Sequence, residues 1–277
     1  MKISVIIPSY KPQDYLWECL GSMKNQTFPH DEFEVILVLN GTREPFFTNI
    51  EMYIKDTLHG NTNIKLFYLE QGNVSIARNI ALDHAVGDYI TFVDDDDYVS
   101  PIYLEELYKH ATPNVISLCY PLSFVDGTDF FKPFLITLDY VKNIGLGPCH
   151  FTKARRFFSG PVYKLIHRDV IGNRRFNKNF RNGEDSIFMF EISDKFHKVD
   201  FTSQKAVYYR RVRNGSALLR KKSTIEIVLN CMRMMFEYSA IFIRHPFRYS
   251  LSFYFTRLLG VIHGVIEQFQ LRKGKSL

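Results

Sequence analysis

Residues 88–101 read "DYITFVDDDDYVSP", an apolar run that ends in four consecutive aspartates, Asp94, Asp95, Asp96 and Asp97. The run has the composition of a strand passing through a core. Four carboxylates at its end repel one another, and each is driven toward its protonated form unless positive charge sits among them. Two explanations fit: a solvated acidic turn, or a turn that holds a divalent cation. Mg2+ and Mn2+ take oxygen ligands, and Mg2+ is commonly held by one or two carboxylates together with substrate phosphates. Two aspartates one residue apart can divide that work, one toward substrate and one toward metal.

The flanking sequence places this turn in a fold. "ISVII" at 3–7, "FEVILVL" at 33–39 and "IKLFYL" at 64–69 are continuous apolar runs that read as buried strands. Helical spacing follows from Asp14, where Tyr15, Leu16, Cys19, Leu20 and Met23 share a face. "VSIARNIALDHAV" (74–86) and a segment near 101–111 also read as helices, and "NVISLCY" at 114–120 reads as a further strand. Alternating strands and helices predict an α/β domain with a mainly parallel sheet. Ligands of such sheets bind outside the carboxyl ends of the strands. The loops "PSYK", "NGT", "EQGNVS" and "DDDD" stand at four such ends. The pattern over 121–215 is less regular, and from about Ser223 it becomes helical.

A chain of 277 residues that is 46% hydrophobic supports a large core. Its net charge of +6 points to an anionic partner. Cys19, Cys119, Cys149 and Cys231 are scattered without a C-x-x-C pair, which argues against a zinc site or a disulfide framework and fits a reducing compartment. The first apolar run breaks at Pro8, too early for a signal-peptide core, so the chain is expected to be mature from its first residue. No nucleic-acid-binding motif accompanies the basic balance. The C-terminal segment is apolar and aromatic with arginines spaced through it, and holds no run of about 18 uncharged residues. Its helices either lie on an anionic membrane surface or pack on the domain before them.

Taken in order, "SVIIPSYKPQDYLWECLGSMKNQTF", "FEVILVLNGT", "GNVSIARNIALDHAVGDYITFVDDDDYVSP" and "NGEDSIF" resemble glycosyltransferase family 2, whose inverting members have the GT-A fold. The family pattern A-R-N-x-G/A-L, then A-x-G-D/E-Y-I-x-F-L-D-x-D-D, is matched by Ala77–Leu82 and by Ala85–Asp97. The resemblance covers about residues 1–215. It implies that Pro8, Ser9 and Tyr10 lie against the nucleotide base and ribose. Asp94 and Asp96 match the D-x-D, the first near ribose or diphosphate and the last on Mn2+ or Mg2+, with Asp95 between them on the donor side. Arg78 matches a position near the nucleotide, where it either meets the donor or forms a salt bridge to an aspartate. Asp97 either orients the site or caps the next turn.

One position departs from the pattern. Many family members carry D-D-G-S after the second strand, where an aspartate reads the base; here Leu39-Asn40-Gly41-Thr42 stands, and Asn40 both donates and accepts. Glu184-Asp185 precedes an apolar helical run and matches the family's E-D pair, which assigns the catalytic base to Asp185. As a bare pattern the pair equally suits a helix N-terminus. "YYRRVRNGS" resembles a Y-Y-Y-R-x-R-x-x-S segment, so that Arg210, Arg211 or Arg213 would line the site.

The expectation is therefore a metal-dependent inverting glycosyltransferase. It would use a nucleotide-diphospho-sugar, by default a UDP-sugar. Its acceptor would be a saccharide or lipid-linked saccharide at the cytoplasmic membrane face, in polysaccharide or lipopolysaccharide assembly. A GT-A domain over 1–215, with donor and acceptor halves meeting near 120, would precede a C-terminal amphipathic segment over 216–277. Two rivals share the fold. A sugar nucleotidyltransferase would carry a glycine-rich loop where "PSYKPQ" stands, and a non-catalytic binding protein would be free to lose Asp96 or Asp185.

Overall fold

The strands Ile3–Ser9, Phe33–Asn40 and Tyr89–Phe92 are buried on both faces, which is why their sequences run largely apolar without alternation, whereas the apolar run at Asn63–Leu69 forms an edge strand that is only part-buried. A computed structural model describes residues 1–58, 62–128, 130–213 and 223–272. The expected boundary at 215/216, the end of "YYRRVRNGS" from Asn214, and Arg220–Lys222 lie outside the described residues. The elements run β1 (Ile3–Ser9), α1 (Tyr15–Lys24), β2 (Phe33–Asn40), α2 (Phe46–Tyr53), β3 (Asn63–Leu69), α3 (Val74–His84), β4 (Tyr89–Phe92), β5 (Tyr98–Val99) and α4 (Tyr103–His110). There follow β6 (Val115–Leu118), β7 (Tyr120–Val125), β8 (Phe131–Lys132), α5 (Leu135–Asn143), β9 (Cys149–His150), β10 (Lys164–His167), α6 (Arg168–Ile171) and α7 (Glu184–Glu191). β11 (Lys198–Phe201), β12 (Val207–Val212), α8 (Thr224–Arg244) and α9 (Leu251–Arg272) complete the order.

The main sheet has the strand order β3-β2-β1-β4-β10-β6-β11-β9. β3, β2, β1 and β4 are parallel, so their carboxyl ends share one edge. β10 runs antiparallel between β4 and β6. A smaller sheet, β5-β12-β7-β8, stands at the edge where the acidic turn emerges. The expected strand over 114–120 is divided. β6 belongs to the main sheet and β7 to the small one, and the chain crosses at the fully buried Cys119, whose N–H donates to Tyr163 O (3.0 Å).

Two buried features set the position of β4. Glu34, the second residue of the apolar β2, accepts from Ser4 Oγ (2.6 Å) and Val86 N–H (2.7 Å) and pairs with Lys65 (2.7 Å). Burial opposes its ionisation, but these partners hold its carboxyl below the ordinary range. Gly87 passes so close to β1 that a Cβ would meet Ser4 N at 2.5 Å and Ile3 C at 2.6 Å. Only glycine fits where the chain enters β4, and this accounts for the glycine of the "VGDYITF" motif.

Candidate active site

The parallel strands deliver four loops to one edge, and the side chains there interlock. Asn40, at the end of β2, is buried and donates from Nδ2 to Ser9 O (2.7 Å). The base-reading position of the family pattern therefore ties the first two loops together. Ser9 in turn donates from Oγ to Asp95 Oδ2 (2.6 Å), which fixes the loop after β1 to the acidic turn. Pro8 is buried within β1. Tyr10 is 54% exposed, and its ring lies over Gly41 and Gly72: a Cβ would come within 2.6 Å of it at Gly41 and 3.0 Å at Gly72. Gly41 has φ +92°, a further reason for glycine in "NGT". The result is an aromatic platform floored by backbone. Gly72 carries no signal in the sequence beyond its place in a turn.

Each of the four aspartates has a different partner. The acidic turn closes with Asp97 N–H on Asp94 O (3.1 Å). Asp94 Oδ1 meets Arg78 Nη2 (3.2 Å), and Asp96 Oδ2 meets Arg213 Nε (2.8 Å). Asp97 is buried and accepts from Arg211 N–H (2.7 Å), which ties the turn to β12. Arg211 is equally committed: Nε donates to Asp96 O (2.7 Å) and Nη2 to Glu18 (2.5 Å), and Nη1 is bonded to Asp126. The geometry thus gives Asp97 and Arg211 the work of holding the turn, and leaves Asp94, Asp95 and Asp96 along its open side. Tyr208, fully buried on β12, accepts from Asp94 N–H (3.1 Å), a support that nothing in "YYRRVR" distinguishes from ordinary strand alternation.

Arg78 joins this turn to the second acidic motif. Asn73 caps α3 by accepting from Ile76 N–H (3.1 Å), and the helix carries Arg78 inward, where it is 4% exposed. Its Nη1 reaches Asp185 Oδ1 (2.5 Å) while Nη2 holds Asp94, and its guanidinium carbon lies 5.3 Å from the centre of the Phe176 ring. One buried cation therefore bridges the D-x-D and the E-D pair, and it reaches Asp185 from 107 residues away in sequence. Of the two roles open to Arg78, the geometry displays the salt bridge. Glu184 is buried at the start of α7, and its Oε2 has no hydrogen-bond partner.

The local charge balance is negative. Burial lifts the Asp94 carboxyl, Arg78 pulls it back, and Asp96 and Asp185 lift it again, to about 6. Asp95 is raised to about 7 by burial and by Asp96 and Asp94, against the Ser9 hydrogen bond. Asp97 is held well above the carboxylate range by burial and by Asp94 and Asp96. Glu184 rises to about 7 through burial and Asp185. Among the described residues no three His, Cys, Asp or Glu side chains form a metal cage. A turn short of positive charge, with Asp94 and Asp96 part-exposed on it, instead suits a cation that completes its shell with diphosphate oxygens.

The model of glycosyl transferase family 2 matches residues 4–193, which contain the turn, Arg78 and the E-D pair. The chain belongs to glycosyl transferase family 2. It is 27% identical over 248 residues to the poly(ribitol-phosphate) beta-N-acetylglucosaminyltransferase TarS of Staphylococcus aureus, covering 85% of this chain and 40% of TarS. It is 28% identical over 223 residues to a poly(ribitol-phosphate) beta-glucosyltransferase of Bacillus spizizenii, covering 78% of this chain and 33% of that one. The chain thus spans well under half the length of these curated relatives. The crystal structure of TarS 1–349 with UDP-GlcNAc aligns with TM-score 0.72 at 22% identity, over 95% of this chain and 72% of that one. The mannosyltransferase PcManGT of Pyrobaculum calidifontis, in complex with GDP-Man and Mn2+, aligns with TM-score 0.61 at 15% identity, over 100% and 76%. At those identities the structures establish the fold, GT-A.

Proposed function

We propose that the chain transfers a sugar, with inversion, from a UDP-sugar to a hydroxyl of a saccharide or lipid-linked saccharide acceptor. The setting would be cell-surface polymer synthesis at the cytoplasmic face of the membrane. The observation that carries this reading is the Arg78 bridge between Asp94 and Asp185. It couples a donor-side carboxylate to a candidate base, as a one-step displacement requires. The donor's base stacks on the Tyr10 platform, and its ribose and diphosphate meet Asp94 and Asp95, the latter held from behind by the buried Ser9. Support for the donor comes from TarS, solved with UDP-GlcNAc.

Asp185 acts as general base. An acceptor hydroxyl is a poor nucleophile, and a carboxylate in hydrogen-bond reach takes its proton as the new bond forms. The acceptor oxygen bonds to the anomeric carbon on the face opposite the diphosphate, the bond from that carbon to the diphosphate oxygen breaks with its electron pair, and the configuration inverts. Arg78 orients Asp185 through Oδ1. Asp96, with Asp94, would hold Mn2+ or Mg2+, which when bound neutralises charge on the departing diphosphate. Support for a divalent cation comes from PcManGT, solved with GDP-Man and Mn2+.

The test is turnover across a panel of nucleotide-sugars with Mn2+ or Mg2+ and with EDTA, beside Asp96→Ala. Metal-dependent consumption of one UDP-sugar, lost in Asp96→Ala, is the expected result. A folded protein that binds no nucleotide-sugar under any condition contradicts the reading and returns the chain to the non-catalytic alternative.

A further inference from the structure

The helix pair α8–α9 is apolar on two sides. Its inner side packs on the domain: Tyr238 and Phe253 are buried against Phe190, with ring centres 5.3 Å and 5.7 Å away. Its outer side is apolar as well. Among the described residues, twelve of the twenty-four exposed large hydrophobic side chains lie between 225 and 266. Ile225, Leu229, Met232, Phe236 and Ile243 are all exposed on α8, and at about 100° per residue they share a sector of about 60°. Leu251, Phe255, Leu259, Ile262 and Ile266 form a similar exposed stripe on α9. A helix apolar all round needs a partner on both sides.

The hairpin tip names the partner's chemistry. Arg244 ends α8, His245-Pro246-Phe247-Arg248 follow in the turn toward α9, and Phe247 is fully exposed, at 102%. Arg244 and Arg248 are exposed beside it, and Arg233 is exposed beside Met232. Arginines that flank an apolar stripe bury their stems along it and keep their heads at the phosphate level of a bilayer. From Ser223 onward the sequence carries seven Lys and Arg, of which Arg257 turns inward to Arg155 O (2.6 Å), against three Glu. One of these, Glu237, turns inward to Asn177 (3.3 Å). Among the described residues no helix is long and apolar enough to cross a membrane. A second copy docking by two-fold symmetry would set this basic face against itself, whereas an anionic lipid surface complements it.

We infer that α8–α9 is an in-plane membrane-binding hairpin that inserts Phe247 and the two stripes among the acyl chains of an anionic bilayer, with Arg233, Arg244 and Arg248 on the lipid phosphates. Binding of this kind is independent of which sugar donor the cleft takes.

The experiment is flotation of the full chain with vesicles of pure phosphatidylcholine, and of phosphatidylcholine with about one third phosphatidylglycerol. Wild type is expected to float with the anionic vesicles, and to be released by high salt. Phe247 is fully exposed, so Phe247→Glu removes no packing; it is expected to weaken binding at least about tenfold with an unchanged melting temperature. Arg244→Ala and Arg248→Ala are each expected to weaken it about fivefold, on anionic vesicles only. No flotation at low salt overturns the inference, as does binding that survives Phe247→Glu combined with both arginine changes. A concentration-dependent dimer dissolved by Phe247→Glu, without vesicle binding, would assign the face to a second copy instead.

Discussion

Replacing Arg78 by methionine removes the charge that holds the cleft's two acidic motifs together. Arg78 is 4% exposed, whereas its partners Asp185 and Asp94 are 30% and 41% exposed. Breaking a fully buried ion pair by deleting one member costs about 3–5 kcal/mol. Water reaches these carboxylates, so the cost belongs near the low end, and the lost contact with Phe176 adds about 0.5–1 kcal/mol. The expected loss near neutral pH is about 3 kcal/mol. It should depend on pH with a definite sign. The Asp94 carboxyl titrates at about 6 in the folded protein, so near pH 5 it is largely neutral and attracts Arg78 weakly. Urea unfolding of wild type and Arg78→Met should therefore differ by roughly half as much at about pH 5 as at about pH 7.5. Adding Asp185→Asn to Arg78→Met should recover part of the loss, because it deletes a stranded charge. A loss below about 1 kcal/mol, or one equal at both pH values, refutes the reasoning.

Other outcomes follow from the same geometry. Gly87→Ala drives a Cβ into the Ser4 and Ile3 backbone, and is expected to cost about 1–3 kcal/mol; a denaturation midpoint equal to wild type contradicts the close approach. Asp94, Asp95 and Glu184 have carboxyls raised to about 6, 7 and 7. The folded chain then keeps protons that the unfolded chain sheds between about pH 4 and 7, so this contribution to stability is present below that window and lost as pH rises through it. Without divalent cation the melting temperature should fall across the window, and Mn2+ with UDP should restore more at its top than at its bottom; a flat profile, or equal rescue, counts against an under-neutralised cleft. Tyr10→Ala removes an exposed stacking surface, worth about 1–3 kcal/mol per base. UDP affinity measured calorimetrically should drop about tenfold, and an unchanged affinity moves the base elsewhere.

How much of this is legible in the sequence varies with the kind of signal. β1, β2 and β4 declare themselves, because parallel strands covered on both faces must be apolar throughout, and the acidic turn is visible because nothing else follows such a strand with four charges. Asp185 can be paired with the turn only through the family pattern, since its link to the turn runs through Arg78, 107 residues away, and leaves no local trace. Three things stay hidden. The short strand β10 contains Lys164, which is fully buried and donates from Nζ to Gly160 O and Val162 O (both 2.6 Å), so a charged residue disguises a core strand. The crossing at Cys119 interrupts no periodicity, and the two strands it separates read as one. The arginines of β12 read as lining the site, but nothing marks Arg211 as a buried clamp whose partners are Glu18 of α1 and Asp126 of the turn after β7.

The central claim is that Asp185, held by Arg78 beside the donor turn, takes the acceptor's proton. Asp185→Asn keeps the shape of the side chain and removes its basicity. Donor affinity by titration calorimetry and single-turnover transfer to acceptor, measured on the same preparation, test the claim most directly. The account predicts affinity within about twofold of wild type and transfer slowed by about 10²–10⁴. Transfer within about tenfold of wild type would contradict it, and would return Asp185 to the role of a helix-start acid that balances Arg78.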